Sequence, residues 1–389
     1  MSDDALLDGP ESFAGVLLLA RDPLWAGAVT RAAAELGRPA VEHTRSPIDA
    51  IRRLVARHGV YSHMLIEPES AGEFFADLAG LTVGDPESGV ALVVLGAAGG
   101  VPPGAAMIRS PARDPLRAAL SSPPVSPAPA APLTPLELGQ ALTEGMLQIR
   151  YQPIVCVREG TTLGFEALAR LQHPVFGTLP PENFVPQLEF AGLAGSLTRA
   201  VEIVAMADLQ GPHLPADVPV AINFPLDVLS RPNALSRLDD YAAAAGVSPA
   251  RIAIELTESR PVEDLPALGR IVAALRARGF RLALDDLSPA VPYHEALLDL
   301  PFSAVKLDQE LVRAAAGDKR SAAEFLLRTI ARASASAMQV IAEGVESAAT
   351  WRAVARFGVT GAQGFFIARP LPAAAIPAWR DHWRAPSIA

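Results

Sequence analysis

Apolar positions along this chain fall in short runs of strand length that alternate with longer amphipathic stretches. In the first third, GVLLLA (15–20) reads as a buried strand and WAGAVTRAAAELG as a helix closed by Gly37. PIDAIRRLVARHG is a second helix, ending at Gly59, and YSHMLIE (61–67), GVALVVLG (89–96) and AAMIRSP (105–111) are further strands. This β-α-(β)-α-β rhythm predicts an open, doubly wound parallel sheet. From residue 149 the rhythm becomes more regular. Eight runs appear: IRYQPIV (149–155), TLGFEAL (162–168), VPVAINF (218–224), RIAIEL (251–256), RLALDD (281–286), SAVKLD (303–308), QVIAEG (339–344) and GAQGFF (361–366). Helices such as DLPALGRIVAALRARG, closed by Gly279, and SAAEFLLRTIARASAS lie between them. The first two runs are separated only by a turn at Arg158–Gly160. Eight strands with alternating helices predict a (β/α)8 barrel of the TIM type, giving an α/β protein with a smaller doubly wound domain in front.

Between the blocks lies SSPPVSPAPAAPLTP, whose six prolines among Ala and Ser suit an extended spacer rather than a packed core. The expected organisation is therefore a domain over 1–120, a linker over 121–135 and a second domain over 136–389. Charge changes the picture next. Forty-two acidic against 33 basic side chains leave −9, which argues against polymeric nucleic acid or an anionic membrane as partner. A single cysteine, Cys156, excludes an internal disulfide framework and any thiolate zinc site made by this chain alone. The start, MSDDALLDGP, lacks the basic segment and apolar core of a signal peptide, and the uncharged stretch Val90–Ile108 is broken by glycines and prolines. A cytoplasmic location and no membrane span are expected.

Candidate chemistry appears where the strands end. Glu166, Asn223, Glu255, Asp285 with Asp286, Lys306, Glu343 and Gln363 each terminate an apolar run: five carboxylates, two amides and one ammonium. One such residue would ordinarily belong to a loop. Seven strands ending this way are not explained by solubility, because in such a barrel the C-terminal strand ends converge on one rim. A ring of oxygen ligands without thiolate or imidazole favours Mg²⁺ or Mn²⁺. Crowded carboxylates repel one another, and a pair of divalent ions relieves that repulsion. Two such ions suit in-line displacement at a phosphoester.

At these residues the sequence resembles the EAL-domain family, bacterial phosphodiesterases that hydrolyse cyclic di-GMP to linear pGpG. YQPI (151–154), FEALAR (165–170), HPVFG (173–177), AINFP, IELTES, LDD, VKLD, IAEGVES and GAQGFF occur in the family's order over about residues 137–385. The resemblance implies metal ligation by Glu166, Asn223, Glu255 and Asp285, with Asp286 on a second ion and Glu343 on the metal site or its water. Lys306 would hold the attacking water; Gln152, Leu168, Arg170 and Gln363 would contact substrate, Arg170 through a phosphate. Glu258 would brace the loop after its strand, and Glu346 is a further, more structural match. Two departures stand out. Leu287-Ser288-Pro289-Ala290-Val291-Pro292-Tyr293 replaces the family's Phe-Gly-Thr-Gly turn, which positions the second metal and helps form a dimer contact; Leu171 replaces an aromatic residue. A milder one is Phe224-Pro225 after Asn223, where a small or hydroxyl residue is usual.

The first domain resembles the receiver of two-component response regulators. The family's acidic pair falls on Ala20 and Arg21, leaving Asp22; the phosphoacceptor position falls on Glu67; and Ser110 stands before Pro111 where Lys is expected, with Arg109 one place earlier. The expectation is a pseudo-receiver that docks a partner or dimerises without phosphorylation, against an unrelated small α/β domain. For the whole chain three readings remain: a metal-dependent cyclic di-GMP phosphodiesterase, with homodimerisation implied by the resemblance; a weak or inactive cyclic di-GMP receptor; and an interaction scaffold.

Overall fold

The hydrophobic runs of the first block become β1 (Gly15–Leu19), β2 (Val41–Thr44), β3 (Tyr61–Ile66), β4 (Ala91–Leu95) and β5 (Ala106–Ile108). All are parallel, in the order β2-β1-β3-β4-β5. This is the flavodoxin-like order of a doubly wound sheet. The computed structural model describes residues 15–38, 41–56, 61–82, 90–96, 101–102, 104–121, 133–173, 177–257 and 264–386. Its chain separates into two units, Met1–Ala128 and Pro129–Ala389.

In the first unit, α1 (Pro23–Glu35) starts at a proline in its first turn, and Asp22 caps it by accepting from the Leu24 amide. Next come α2 (Pro47–Ala56), the short α3 (Pro68–Ala71) and α4 (Phe75–Gly80), and α5 (Arg113–Ser121). Val16, Leu18, Trp25, Val29, Leu116 and Leu120 form part of the core between the sheet and helices α1 and α5. The two carboxylates that follow β1 and β3 are occupied locally. Asp22 is the cap just described, and Glu67 accepts from the Arg21 amide at 2.8 Å and from the Ser70 hydroxyl.

The second unit begins with α6 (Pro135–Thr143), started by a capping box between Thr134 and Glu137. The expected spacer therefore gives up its ends to α5 and α6, and its residues 122–132 lie outside the described ones. The barrel follows: β6 (Leu147–Cys156), β7 (Thr162–His173) with the appended β8 (Gly177–Leu179), α7 (Val185–Phe190), α8 (Ala194–Gln210), β9 (Val220–Pro225), α9 (Leu226–Leu229) and α10 (Ala234–Ala244). It continues with β10 (Ile252–Thr257), α11 (Leu265–Ala277), β11 (Arg281–Leu287), α12 (His294–Leu297), β12 (Ala304–Leu307), α13 (Gln309–Ala316), α14 (Arg320–Ala335), β13 (Gln339–Ala342), α15 (Ala348–Phe357), β14 (Gly361–Ala362) and α16 (Ile376–His382).

Seven strands, β7 and β9 to β14, run parallel around the ring, while β6 is antiparallel to both neighbours, β7 and β14. The turn at Arg158–Gly160 is the cause, since two strands joined by a tight turn can only pair antiparallel. The last strand is shorter than its apolar run suggests. After Ala362 the chain bends at Gly364, where an added Cβ would meet the Val345 backbone at 2.3 Å.

Candidate active site

Side chains alternate across each barrel strand, so every second residue points inward. Ile154, Ala283, Ala304 and Ile341 form an apolar layer inside the barrel. One inward step toward the rim from each lies Gln152, Asp285, Lys306 and Glu343; the step runs backward in sequence on β6 because that strand is reversed. The same layer receives Glu166 from β7, Asn223 from β9 and Glu255 from β10; Asn223 and Glu255 pair in register, whereas Glu166 pairs with Ala221 and meets Asn223 through a side-chain hydrogen bond. Gln363 enters just after β14, its amide N–H bonded to the Ala342 carbonyl. The seven strand-end groups expected from the sequence thus converge.

Lys306, 1% exposed, is the hub. Its Nζ lies 2.7 Å from Glu343, 3.0 Å from Asp285, 3.1 Å from Glu166 and 3.2 Å from Glu255. Glu166 also accepts from Asn223 Nδ2 at 3.0 Å and from Gln363 Nε2 at 2.6 Å. Gln363 donates as well to Gln152 Oε1 at 2.9 Å, and Gln152 donates to the Ala368 carbonyl at 3.1 Å. One ammonium cannot neutralise four carboxylates, and the consequences differ by residue. Burial opposes charge on Glu166, but Lys306 and the Gln363 and Asn223 donors outweigh it and hold that carboxyl below its ordinary value. Burial pushes Glu255 and Asp285 upward, with the neighbouring carboxylates adding to it against the pull of Lys306. Burial likewise carries Glu343 up to about 8. Asp286 lies at the exposed rim, yet partial withdrawal from water and the adjacent Asp285 raise it to about 6. Burial also disfavours the Lys306 charge, but Asp285, Glu166 and the other carboxylates reverse this and hold its ammonium above the ordinary lysine value.

Two neighbours in a strand normally point to opposite faces, yet Asp285 and Asp286 serve the same rim. The β11–β12 register shifts between Leu284 and Leu287, so two residues face Lys306, and Asp286 takes the left-handed conformation at φ 49°. A bulge of this kind re-aims a side chain, and Asp is among the few residues that tolerate the angle. Carboxylate oxygens of Asp285, Asp286 and Glu343 come within 4.8 Å of one another, the span that a single divalent ion bonded at ~2.1–2.4 Å can bridge. Asn223 Oδ1 is buried without a hydrogen-bond partner, its amide turned by the donation to Glu166. An orphan oxygen beside surplus negative charge fits a hard cation.

Two cavities adjoin this ring and share Leu168. The first, about 380 Å³, reaches Asn223 and Asp285; the second, about 200 Å³, reaches Glu166, Asp286, Glu343 and Glu346. Glu166, Leu168 and Arg170 alternate along β7 on one face. Arg170 is 2% exposed and donates to the Ala169 carbonyl at 2.9 Å. Glu346 stands outside the hydrogen-bonded ring, 3.9 Å from Arg313, and Glu258 lies outside the described residues. Leu171 is buried opposite Leu147 and Leu179, and Phe224 is fully buried. In the altered loop Val291 bonds back to the Ser288 carbonyl at 3.1 Å, and Tyr293, 72% exposed, takes φ 58°. Sequence reading missed Gln309 and Phe365, which line the smaller cavity, and the apolar wall of the larger one. Gln309 is the first residue of α13 after its Asp308 cap, and it lies just beyond the strand-end positions that the apolar runs mark.

No described helix is long and apolar enough to cross a membrane. A family model described as EAL domain matches residues 136–370. The chain is 32% identical over 250 residues to the oxygen sensor protein DosP of Escherichia coli, covering 62% of this chain and 30% of that protein. It is 31% identical over 250 residues to a cyclic di-GMP phosphodiesterase of Pseudomonas aeruginosa (63% and 41% covered). To the bifunctional diguanylate cyclase/cyclic di-GMP phosphodiesterase MucR of the same organism it is 30% identical over 241 residues (61% and 35%). It thus spans well under half the length of these relatives. Among solved structures, the PaMucR phosphodiesterase in its c-di-GMP complex superposes with a TM-score of 0.57 at 29% identity, covering 62% of this chain and 98% of that one. The FimX EAL domain of P. aeruginosa bound to c-di-GMP, at 22% identity and TM-score 0.55, shares the fold. With the family model spanning more than half of the residues and its acidic strand ends gathered around Lys306, the chain belongs to the EAL-domain family.

Proposed function

We propose that the chain hydrolyses cyclic di-GMP to linear pGpG with the help of two divalent cations, Mg²⁺ or Mn²⁺. The observation that carries this reading is one buried ammonium enclosed by four carboxylates beside an amide oxygen without a partner. Five carboxylates and Lys306 sum to −4, the charge that two divalent ions neutralise. Glu166, Asn223, Glu255, Asp285 and Asp286 would hold the ions, which when bound would polarise the phosphate and the attacking water. Glu343, near neutrality and fixed by Lys306, would receive a proton of that water as its oxygen bonds to phosphorus. The P–O3′ bond then breaks, the leaving 3′-oxygen takes a proton from solvent water, and the proton held by Glu343 returns to solvent. Lys306 would offset the charge that develops. Gln152, Leu168, Arg170 and Gln363 would hold the dinucleotide, with Glu258 and Glu346 steadying adjacent loops. The parent members with this activity, MucR among them, lend the reading their support.

A second reading, a cyclic di-GMP receptor with little turnover, is favoured by the proline-bearing Ser288–Tyr293 turn directly after Asp286. We extend the proposal to organisation: residues 1–120 act as a pseudo-receiver joined through 121–135 to the catalytic unit 136–389, which pairs as a homodimer. The engaged Asp22 and Glu67 support a silent receiver, and acetyl phosphate should leave the protein's mass unchanged. Incubation with cyclic di-GMP and Mg²⁺ or Mn²⁺, beside a Glu166→Ala control, tests the activity by chromatography of pGpG. Product is expected only with cation and the intact carboxylate. Binding by calorimetry without product over hours would establish the receptor instead, and loss of both would leave neither.

A further inference from the structure

The wall of the smaller cavity is rich in acceptors. Glu166, Asp286, Glu343 and Glu346 bring carboxylates to it, and Gln363, 4% exposed, has a buried Oε1 without a partner. Side-chain donors are scarcer. Gln363 gives its Nε2 to Gln152 Oε1 and Glu166 Oε2, and Gln152 donates to the Ala368 carbonyl. Gln309 is the lining side chain whose amide makes no hydrogen bond among the described residues.

Although exposed, Gln309 is not a loosely tethered surface chain. Gly344, directly after Glu343, takes φ 61°, and a Cβ there would stand 2.5 Å from Gln309 Cβ, 3.2 Å from its Cα and 3.4 Å from its Oε1. The absent Cβ lets the Gln309 stem lie against the turn that follows Glu343. On the other side Asp308 fixes the start of α13 by accepting from the Glu310 and Leu311 amides, both at 3.0 Å. A side chain already laid in place loses less freedom when it binds. A cyclic dinucleotide carries acceptors of its own on phosphate, sugar and base, and ionised carboxylates have no proton to offer them, whereas a glutamine amide has two. Gln309 makes no bond to the ring around Lys306, so its removal leaves the reacting groups in place. We infer that Gln309 is a substrate-binding residue: its carboxamide donates to the half of the dinucleotide seated in the smaller cavity, and it sets affinity rather than the rate of the chemical step. The inference rests on the cyclic di-GMP reading above.

The test compares the native full chain with Gln309→Ala and Gln309→Glu in Mn²⁺. It reads kcat and KM for cyclic di-GMP by product chromatography, Kd by calorimetry and Tm by melting. Loss of one hydrogen bond should raise KM and Kd about 3- to 10-fold in Gln309→Ala, with kcat held within about 2-fold. Tm and the Mn²⁺ affinity of the nucleotide-free chain should match the native values in that variant. Gln309→Glu keeps the shape but replaces both N–H donors by a carboxylate, so its KM and Kd should rise further. Native KM and Kd in both variants would overturn the inference. So would a fall in kcat or Tm of Gln309→Ala at native Kd, which would place the residue in the scaffold instead. A native chain that binds cyclic di-GMP without cleaving it would sink the phosphodiesterase reading, while the Kd comparison would still uphold or overturn the role of Gln309. A native chain that neither binds nor cleaves it would take both down.

Discussion

Replacing Lys306 with methionine removes the only positive charge among the buried strand-end groups while keeping a side chain of similar length. In the native ring the ammonium touches four carboxylates at 2.7 to 3.2 Å. Deleting one partner of a buried ion pair costs about 3–5 kcal/mol, because the remaining charge is left uncompensated. For a unit of this size that corresponds to a fall in Tm of about 10 °C, at ~2–4 °C per kcal/mol. The loss must depend on pH. Glu255, Asp285, Asp286 and Glu343 have carboxyls raised in the folded state, so their contribution to stability is present at low pH and disappears as pH rises through the folded values, about 6 for Asp286 and about 8 for Glu343. Without Lys306 these groups hold their protons still more tightly, so the variant suffers most above pH 8 and least near pH 5. Divalent cation should restore part of the difference at high pH. Calorimetric melts of both proteins at pH 5.5 and 8.5, with EDTA or with Mg²⁺, provide the measurement. A deficit of equal size under all four conditions would refute the reasoning, since loss of packing alone is blind to protons and cations.

Three other outcomes follow from the same geometry. Cation affinity, read from Mn²⁺ titration calorimetry in buffers of different ionisation heat, should strengthen between pH 5.5 and 8.5 with release of protons, because Asp286 must ionise before it ligates and the adjacent Glu343 gives up its proton more readily beside a cation. Asp286→Gly and Asp286→Ala should lose cation affinity alike, but the glycine variant should be more stable by about 1 kcal/mol in urea unfolding, since φ 49° strains a Cβ. Gly364→Ala should destabilise the barrel by about 3 kcal/mol or more and misplace Gln363, since the new methyl would stand 2.3 Å from the Val345 amide and carbonyl; an unshifted melt with wild-type affinity for cyclic di-GMP would contradict this.

The strand-end ring was legible because alternation places every inward polar group by parity: once Ala304 is inside, Lys306 must be as well. The reversed direction of β6 was also within reach, since a three-residue turn leaves no chain for a crossover. Other features lie beyond sequence pattern. Asp285 and Asp286 read as an ordinary strand end, and nothing local announces that the backbone turns left-handed to bring both to one rim. VEHT, the β2 strand, is polar at three of its four positions because it is an edge, which erases its hydrophobic signal. The run GAQGFF looks like a full strand, but contact between Gly364 and the Val345 backbone, distant in sequence, ends it after Ala362. The apolar wall of the larger cavity is built from side chains that any helix or strand would bury, so their shared exposure to a cavity becomes visible only when α7, α8 and β7 are assembled.

The reversed strand also bears on how the barrel comes into being. β6 is held on one side by its hairpin partner β7 and on the other by β14, through the pairs Cys156–Gly361 and Val155–Ala362, with Tyr151 exchanging backbone bonds with Leu371. The hairpin is a local contact and can form as soon as it leaves the ribosome. The seam with β14 joins residues some two hundred positions apart, so it must await synthesis of nearly the whole unit, and closing so long a loop is entropically slow. Until then β6 and β13 present open edges of the kind that invite misplaced pairing. The short β14, only two residues of ladder, is therefore the point at which a growing open sheet becomes a sealed barrel and the acidic ring acquires Gln363.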